Sequence, residues 1–214
     1  VLGAGTNRLN IYNVRRVSRA LAKYILTVPN GAERGVAIAY DSRIKSDVFA
    51  KQAALVLAAA GVRAHLFPSL RPVPVLSFTV RDLHCIAGIV ITASHNPAKY
   101  NGYKVYWQDG GQMPPVSVRG ITDLLPETTY DESIPMDEQA AIDAGLLTYI
   151  GSDVDDRYIA AVKKLSVNPD LAREMGASLK IVYTPLHGSG NIPVRRILSE
   201  IGMQQVYVEP EQEK

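Results

Sequence analysis

The chain has 214 residues, 47% hydrophobic, 21% charged and 7% aromatic, a balance that supports a sizeable core and excludes disordered and fibrous architectures. Twenty-three Lys and Arg against 21 Asp and Glu leave a formal charge of +2, too even for an electrostatic nucleic-acid platform. No apolar run approaches the roughly 20 residues that span a bilayer, and the single cysteine, Cys85, cannot form an intrachain disulfide. The expected setting is cytoplasmic and reducing, with neither nucleic acid nor a membrane as partner.

Apolar residues at Val14, Val17, Leu21, Tyr24, Ile25 and Val28 predict an amphipathic helix over 13–27, with Arg15, Arg16, Arg19 and Lys23 on a solvated face. An apolar run over 35–40 reads as a strand. Ser46-Asp47 is expected to cap a helix that Gly61 ends, and 62–67 reads as the next strand. Strand, helix and strand within about 33 residues form a βαβ unit, which requires a parallel pair and an α/β fold. A helix over 74–83 and a wholly apolar strand over 85–92 follow, with Cys85 as a small buried hydrophobe. Residues 103–107, between Asn101-Gly102 and Asp109-Gly110-Gly111, predict a strand returning antiparallel, so the sheet is mixed. The alternating Tyr103, Tyr106 and Trp107, with Tyr100, read as sheet packing rather than base stacking.

Residues 112–150 combine Pro, acidic and small residues with a short helical pattern over 137–146, in the manner of a connection between domains. A helix over 153–165, a strand over 179–184, a helix over 191–201 and a strand over 205–209 then begin a second α/β unit with too few elements to close a core. The expected architecture is a three-layer α/β/α domain with a mixed sheet over 1–150, followed over 151–214 by a linker helix and the start of a second α/β domain. Val1-Leu2-Gly3 lacks a Met and Glu209 to Lys214 completes no element, so both ends are expected to be fragment boundaries.

Chemistry concentrates at Thr92-Ala93-Ser94-His95-Asn96-Pro97, with Tyr100-Asn101-Gly102-Tyr103-Lys104 behind it. Ser94 follows the most apolar strand, in a loop that Asn96-Pro97 keeps from becoming helix, where open α/β sheets place ligand groups. A chain reversal at Asn101-Gly102 would bring Lys104 back toward the loop. A hydrolase triad is disfavoured, because Ser94 lacks a Gly-x-Ser-x-Gly elbow and His95 is its immediate neighbour. Phosphoryl transfer needs a hydroxyl, cations and a titratable group, which Ser94, Lys104 and His95 could supply. A capped loop with solvated polar residues is the open alternative.

Five separated motifs resemble the α-D-phosphohexomutases, most closely the bacterial phosphoglucomutases and phosphomannomutases. They are Gly3-Ala4-Gly5-Thr6-Asn7-Arg8-Leu9-Asn10, Ala39-Tyr40-Asp41-Ser42-Arg43, Leu70-Arg71-Pro72-Val73-Pro74, the serine segment through Lys104, and Tyr183-Thr184-Pro185-Leu186-His187-Gly188. The resemblance implies that Ser94 is a phosphoserine exchanging its phosphoryl group with a hexose phosphate, with hexose 1,6-bisphosphate as intermediate and activator. It also implies catalytic parts for His95 and Lys104, and substrate or phosphate binding by Arg43, Asn96 and Arg8. Mg²⁺ would be met through the phosphate on Ser94. Family members are longer, and the partners expected for this chain are the remaining domains as well as the sugar phosphate.

The sequence departs from the family at several points. The Asp-Gly-Asp-x-Asp-Arg metal loop, the sugar-selecting loop with paired glutamates and the Arg-Ser-Gly-Thr phosphate loop are absent, and the Gly-Leu-Arg-Gly segment would lie before Val1. Ala98-Lys99 replaces the commoner Pro-Glu. Asp153-Val154-Asp155-Asp156-Arg157 lacks the glycine of the metal loop and reads as an acidic first helical turn. Gly188-Ser189-Gly190 before a helix is a weak anion-binding signal that a tight turn explains equally well. The expectation is the N-terminal part of a mutase, inactive alone. The rival is a noncatalytic phosphosugar-binding or regulatory domain of the same fold, and phosphorylation of Ser94 separates the two.

Overall fold

The computed structural model describes residues 1–213. They fall into two compact units, one spanning Val1–Ile150 and one beginning at Gly151. The first unit runs α1 (Ile11–Leu26), α2 (Gly31–Arg34), β1 (Val36–Tyr40), α3 (Ser46–Ala59), β2 (Ala64–Leu66), α4 (Val73–Asp82), β3 (Ala87–Ile91), β4 (Tyr103–Trp107), α5 (Pro115–Leu124), α6 (Glu138–Asp143) and β5 (Leu147–Tyr149). Its sheet has the order β4-β3-β1-β2-β5, parallel throughout except for the antiparallel pair β3–β4.

The chain moves from β1 through α3 to β2, then back through α4 across β1 to β3. Right-handed crossovers in opposite directions put their helices on opposite faces. Accordingly α3 packs on α1, whereas α4 packs on β1 and β3. Val36 to Ala39 of β1 and all of β3 are buried, as a strand covered on both faces requires. Alanines 50, 53 and 54 of α3 are fully buried and let the helices approach closely, while Phe49, Leu57, Leu21 and Ile25 fill the layer. Each such large side chain contributes about 1.5–3 kcal/mol on burial.

Several local expectations are corrected. Helix α1 starts earlier than predicted, because the Asn10 side chain accepts from the Asn13 amide at 3.0 Å and caps it. Ser46 does not cap α3: it is the first helical residue, preceded by Lys45 at φ 62°, and its hydroxyl turns to Asp41. The sheet gains a fifth strand, β5, which pairs with β2 through Ala64 and Leu147. The basic residues of α1 are not a simple solvated face. Arg16 donates to the carbonyls of Leu125 and Thr128 at 2.6 and 2.7 Å, Arg15 to Gln52 at 2.6 Å, and Lys23 pairs with Glu132 at 2.8 Å. Arg16 and Lys23 fasten the segment after α5, and Arg15 ties α1 to α3. Tyr103, Val105 and Trp107 of β4 pack on the core, and the Trp107 ring lies 5.7 Å from that of Tyr24. Cys85 is buried, and burial pushes its thiol up to about 12.

The second unit comprises α7 (Ser152–Lys163), α8 (Pro169–Gly176), β6 (Lys180–Tyr183), α9 (Asn191–Glu200), β7 (Gln205–Val208) and a short 3₁₀ turn over Pro210–Gln212. Strands β6 and β7 pair in parallel through the α9 crossover, and α7 packs on α9. Helix α8 was not anticipated. Asp153 opens α7 and pairs with Arg157 at 3.3 Å, while Asp156 pairs with Arg196. No helix among the described residues is long and apolar enough to cross a membrane.

Candidate functional site

The order β4-β3-β1-β2 places a topological switch point between β1 and β3, because the connections leaving their ends run to opposite sides. Ligand crevices of open α/β sheets form there, beyond the carboxyl ends of the strands. Two loops meet at this position, residues 41–45 after β1 and 92–102 after β3.

Thr92 directly follows β3, and its hydroxyl accepts the Ser94 amide at 3.0 Å. The Asn96 amide closes a turn on Ala93 and the Tyr100 amide one on Pro97. Ser94 itself has φ 54°, the left-handed region, which costs a non-glycine residue roughly 1–2 kcal/mol. Strained backbone at an exposed serine, held by its surroundings, is characteristic of functional positions.

Strand β4 returns in the register Val90↔Lys104 and Ile91↔Tyr103. Gly102 permits that return. The Thr92 amide donates to the Gly102 carbonyl at 3.1 Å, and a Cβ on Gly102 would stand 2.6 Å from the Thr92 oxygen. Side chains alternate along β4, so Tyr103 meets Ser18 of α1 at 3.0 Å while Lys104 faces the other way. The Lys104 Nζ donates to Ser94 Oγ at 2.7 Å.

Arg43 is drawn into the serine loop. Its Nη1 donates to the carbonyls of Pro97 and Tyr100, both at 3.2 Å, and its Nη2 to those of Ser94 and Asn96, both at 2.6 Å. Its Nε faces the Asp41 carboxylate at 3.4 Å. Asp41 also accepts from the Arg43 amide at 3.0 Å and from the Ser46 hydroxyl at 2.8 Å. Buried Asn101 donates to Ser46 Oγ at 2.8 Å and to the Ile44 carbonyl at 3.2 Å, and accepts from the Gly102 amide at 2.8 Å.

Among the expected site residues, Ser94, Lys104 and Arg43 are therefore joined directly, and Asn96 takes part through its carbonyl. His95 is exposed, and no hydrogen bond joins its imidazole to Ser94 or Lys104 among the described residues. Arg8 is also exposed. Its segment reaches the loop through the Leu2 amide, which donates to the Lys99 carbonyl at 2.9 Å, but the Arg8 guanidinium is not bonded to Ser94 or Lys104. His187 lies in the second unit at φ 55°. Asp41, Ser46 and Asn101 were not anticipated as site residues. Asp41 and Arg43 fall in one quoted motif, whereas Ser46 resembled an ordinary cap and Asn101 an ordinary turn residue.

No group of three or more His, Cys, Asp or Glu among the described residues is placed to hold a metal. Asp41, the carboxylate joined to the loop, already bonds Arg43 and Ser46. Among the described residues, Ser94, Lys104, Arg43 and Asp41 do not themselves form a divalent-cation site. The arrangement is chemically a primary hydroxyl on a strained turn, with an ammonium group bonded to it and a second cation beneath its loop.

The family described as phosphoglucomutase/phosphomannomutase, alpha/beta/alpha domain I, matches residues 2–132. The chain is 37% identical over 197 residues to a probable phosphoribomutase of Schizosaccharomyces pombe, covering 88% of this chain and 32% of that protein. It is 35% identical over 211 residues to a phosphoglucomutase of Staphylococcus saprophyticus, covering 98% of this chain and 37% of the relative. A putative phosphomannomutase from Thermus thermophilus superposes with a TM-score of 0.78 at 25% identity, over 99% of this chain and 44% of that one. The chain thus spans about a third of the length of these curated relatives. With the match covering residues 2–132, the chain belongs to the phosphoglucomutase/phosphomannomutase family, within the α-D-phosphohexomutases.

Proposed function

We propose that the chain is the N-terminal part of a phosphohexomutase, an isomerase that interconverts hexose 1-phosphate and hexose 6-phosphate through a phosphoryl group carried on Ser94. The supporting observation is the 2.7 Å bond from Lys104 Nζ to Ser94 Oγ at the switch point. In the first step the bond from phosphorus to Ser94 Oγ breaks as one forms to the free sugar hydroxyl, yielding hexose 1,6-bisphosphate. The Lys104 ammonium gives its proton to Oγ and is replenished by the proton that the sugar hydroxyl sheds, so no net charge is created. The bisphosphate then returns its other phosphoryl group to Ser94, and hexose 6-phosphate leaves.

His95 is a further titratable group beside Ser94, and Asn96 and Arg8 are assigned to contacts with the sugar phosphate. Mg²⁺ bound at the Ser94 phosphate would neutralise the transferring group. Its carboxylate ligands would come from the remaining domains, which is why this chain alone should turn over no substrate.

Incubation of the longer enzyme with glucose 1,6-bisphosphate, followed by phosphopeptide mapping, should find one phosphoryl group, on Ser94. In the longer enzyme, a coupled glucose 6-phosphate assay on Lys104→Met should lose roughly 10²-fold or more in kcat with little change in KM. Undiminished turnover in Ser94→Ala would refute the assignment, and a chain that binds sugar phosphate without ever labelling Ser94 would be the noncatalytic domain instead.

A further inference from the structure

We propose that Arg43 is a positioning residue, whose guanidinium holds the Ser94 loop in its presenting conformation instead of binding the sugar's phosphate. As a role in catalysis, this rests on the function proposed above. The clamp itself follows from geometry. A guanidinium has five N–H donors and no acceptor. Four of them, all on the two Nη atoms, meet the carbonyls of Ser94, Asn96, Pro97 and Tyr100, and Nε lies 3.4 Å from the Asp41 carboxylate. The Nη fork is thereby taken up by the loop and not turned to a phosphate oxygen. The side chain is only 13% exposed, so the loop is wrapped around it.

Arg43 supplies four of the bonds that hold the loop. The others over 93–100 are the backbone bonds of Asn96 to Ala93 and Tyr100 to Pro97, the Ser94 amide on Thr92 Oγ1, the Leu2 amide on the Lys99 carbonyl and Lys104 on Ser94 Oγ. Four carbonyls converging on one cation form charge-assisted bonds, about twice as strong as neutral ones, and the planar fork spreads them over a width that a point-charge ammonium cannot reach. Arg43 thereby supports Ser94 in a left-handed conformation that the residue would not choose alone. The same network continues from Asp41 through Ser46 and Asn101 to the Gly102 amide, at the start of the strand that carries Lys104. One set of bonds therefore fixes both members of the Ser94–Lys104 pair.

The test is amide hydrogen exchange on this chain, comparing wild type with Arg43→Lys and Arg43→Ala. Exchange at the Asn96 and Tyr100 amides should accelerate at least about tenfold in both variants, while the β3 amides of residues 87–91 keep their protection and report an intact sheet. Millimolar guanidinium should restore protection in Arg43→Ala. If that variant fails to fold, Arg43→Lys decides alone on the same two amides. Loop amides exchanging as in wild type would overturn the clamp.

A second arm follows Ser94 labelling by glucose 1,6-bisphosphate in the longer enzyme. Arg43→Lys should lower the maximal labelling rate about tenfold or more and change the half-saturating concentration less than about twofold. A raised half-saturating concentration with an unchanged maximal rate and unchanged exchange would make Arg43 a phosphate ligand and overturn the proposal. Absence of labelling in the wild type would remove the proposed function, while the exchange result would still decide the clamp.

Discussion

Gly102→Ala probes how closely β3 and β4 must approach to bring Lys104 to Ser94. The added Cβ would stand 2.6 Å from the Thr92 carbonyl oxygen, a backbone atom that cannot rotate away. Reaching an ordinary contact at 3.4 Å requires the strands to part by about 0.8 Å at this point. That opening breaks the 3.1 Å bond from the Thr92 amide to the Gly102 carbonyl, worth about 1 kcal/mol, and strains the packing at the strand's start. The total expected cost is about 1–3 kcal/mol. Trp107 is the only tryptophan and lies on β4 beside Tyr24, so its fluorescence during urea unfolding reports on the first unit alone. At a slope of ~2 kcal/mol per M, the midpoint should fall by about 0.5–1.5 M. The same displacement lengthens the Lys104–Ser94 bond, so in the longer enzyme Ser94 labelling by glucose 1,6-bisphosphate should slow about tenfold or more. An unchanged midpoint together with an unchanged labelling rate would refute the reasoning.

Ser94→Gly should be more stable than Ser94→Ala by about 1 kcal/mol in the same unfolding assay, because glycine accepts φ 54° without the steric penalty that alanine retains; equal midpoints would show that Ser94 carries no strain. Cys85 should ignore a thiol-specific reagent at pH 8 until urea unfolds the chain, since its burial and a pKa pushed up to about 12 leave almost no thiolate; fast native labelling would contradict this. Burial and the nearby Arg63 lower the pKa of His65 in the fold, so the unfolded chain binds the proton more readily. That contribution to stability is fully present above about pH 6.5 and is lost as the pH falls below it; His65→Gln should flatten this part of the pH profile, and an identical profile would refute the assignment.

Much of the first unit is legible along the chain because its signals are local. The apolar runs of β1 and β3, the amphipathic period of α1 and the turn at Asn101-Gly102 each depend on neighbouring residues, and together they imply parallel strands, one antiparallel return and a serine at the end of a buried strand. Strand β5 escaped because it has three residues, of which only Leu147 is buried, too few for a periodic signal. The basic face of α1 misled for a different reason: its anchors, Leu125, Thr128 and Glu132, lie about 110 residues away.

The family motifs pointed to Ser94, Lys104 and Arg43 as candidate site residues, but not to what Arg43 touches. Its four carbonyl partners lie 51 to 57 residues further on and come within reach only once β1 and β3 pair side by side. The turn of the Ser46 hydroxyl away from capping toward Asp41, and the positive φ of Ser94, were likewise not read from the sequence. Sequence by itself determined most of the strands and helices, with β5 and α8 among the exceptions, and where the Ser94 hydroxyl falls among them, since nearest-neighbour sterics and hydrophobic period suffice for those. Tertiary structure decided which donors meet which acceptors, because strand register and the close approach at Gly102 set distances between residues that no local pattern relates.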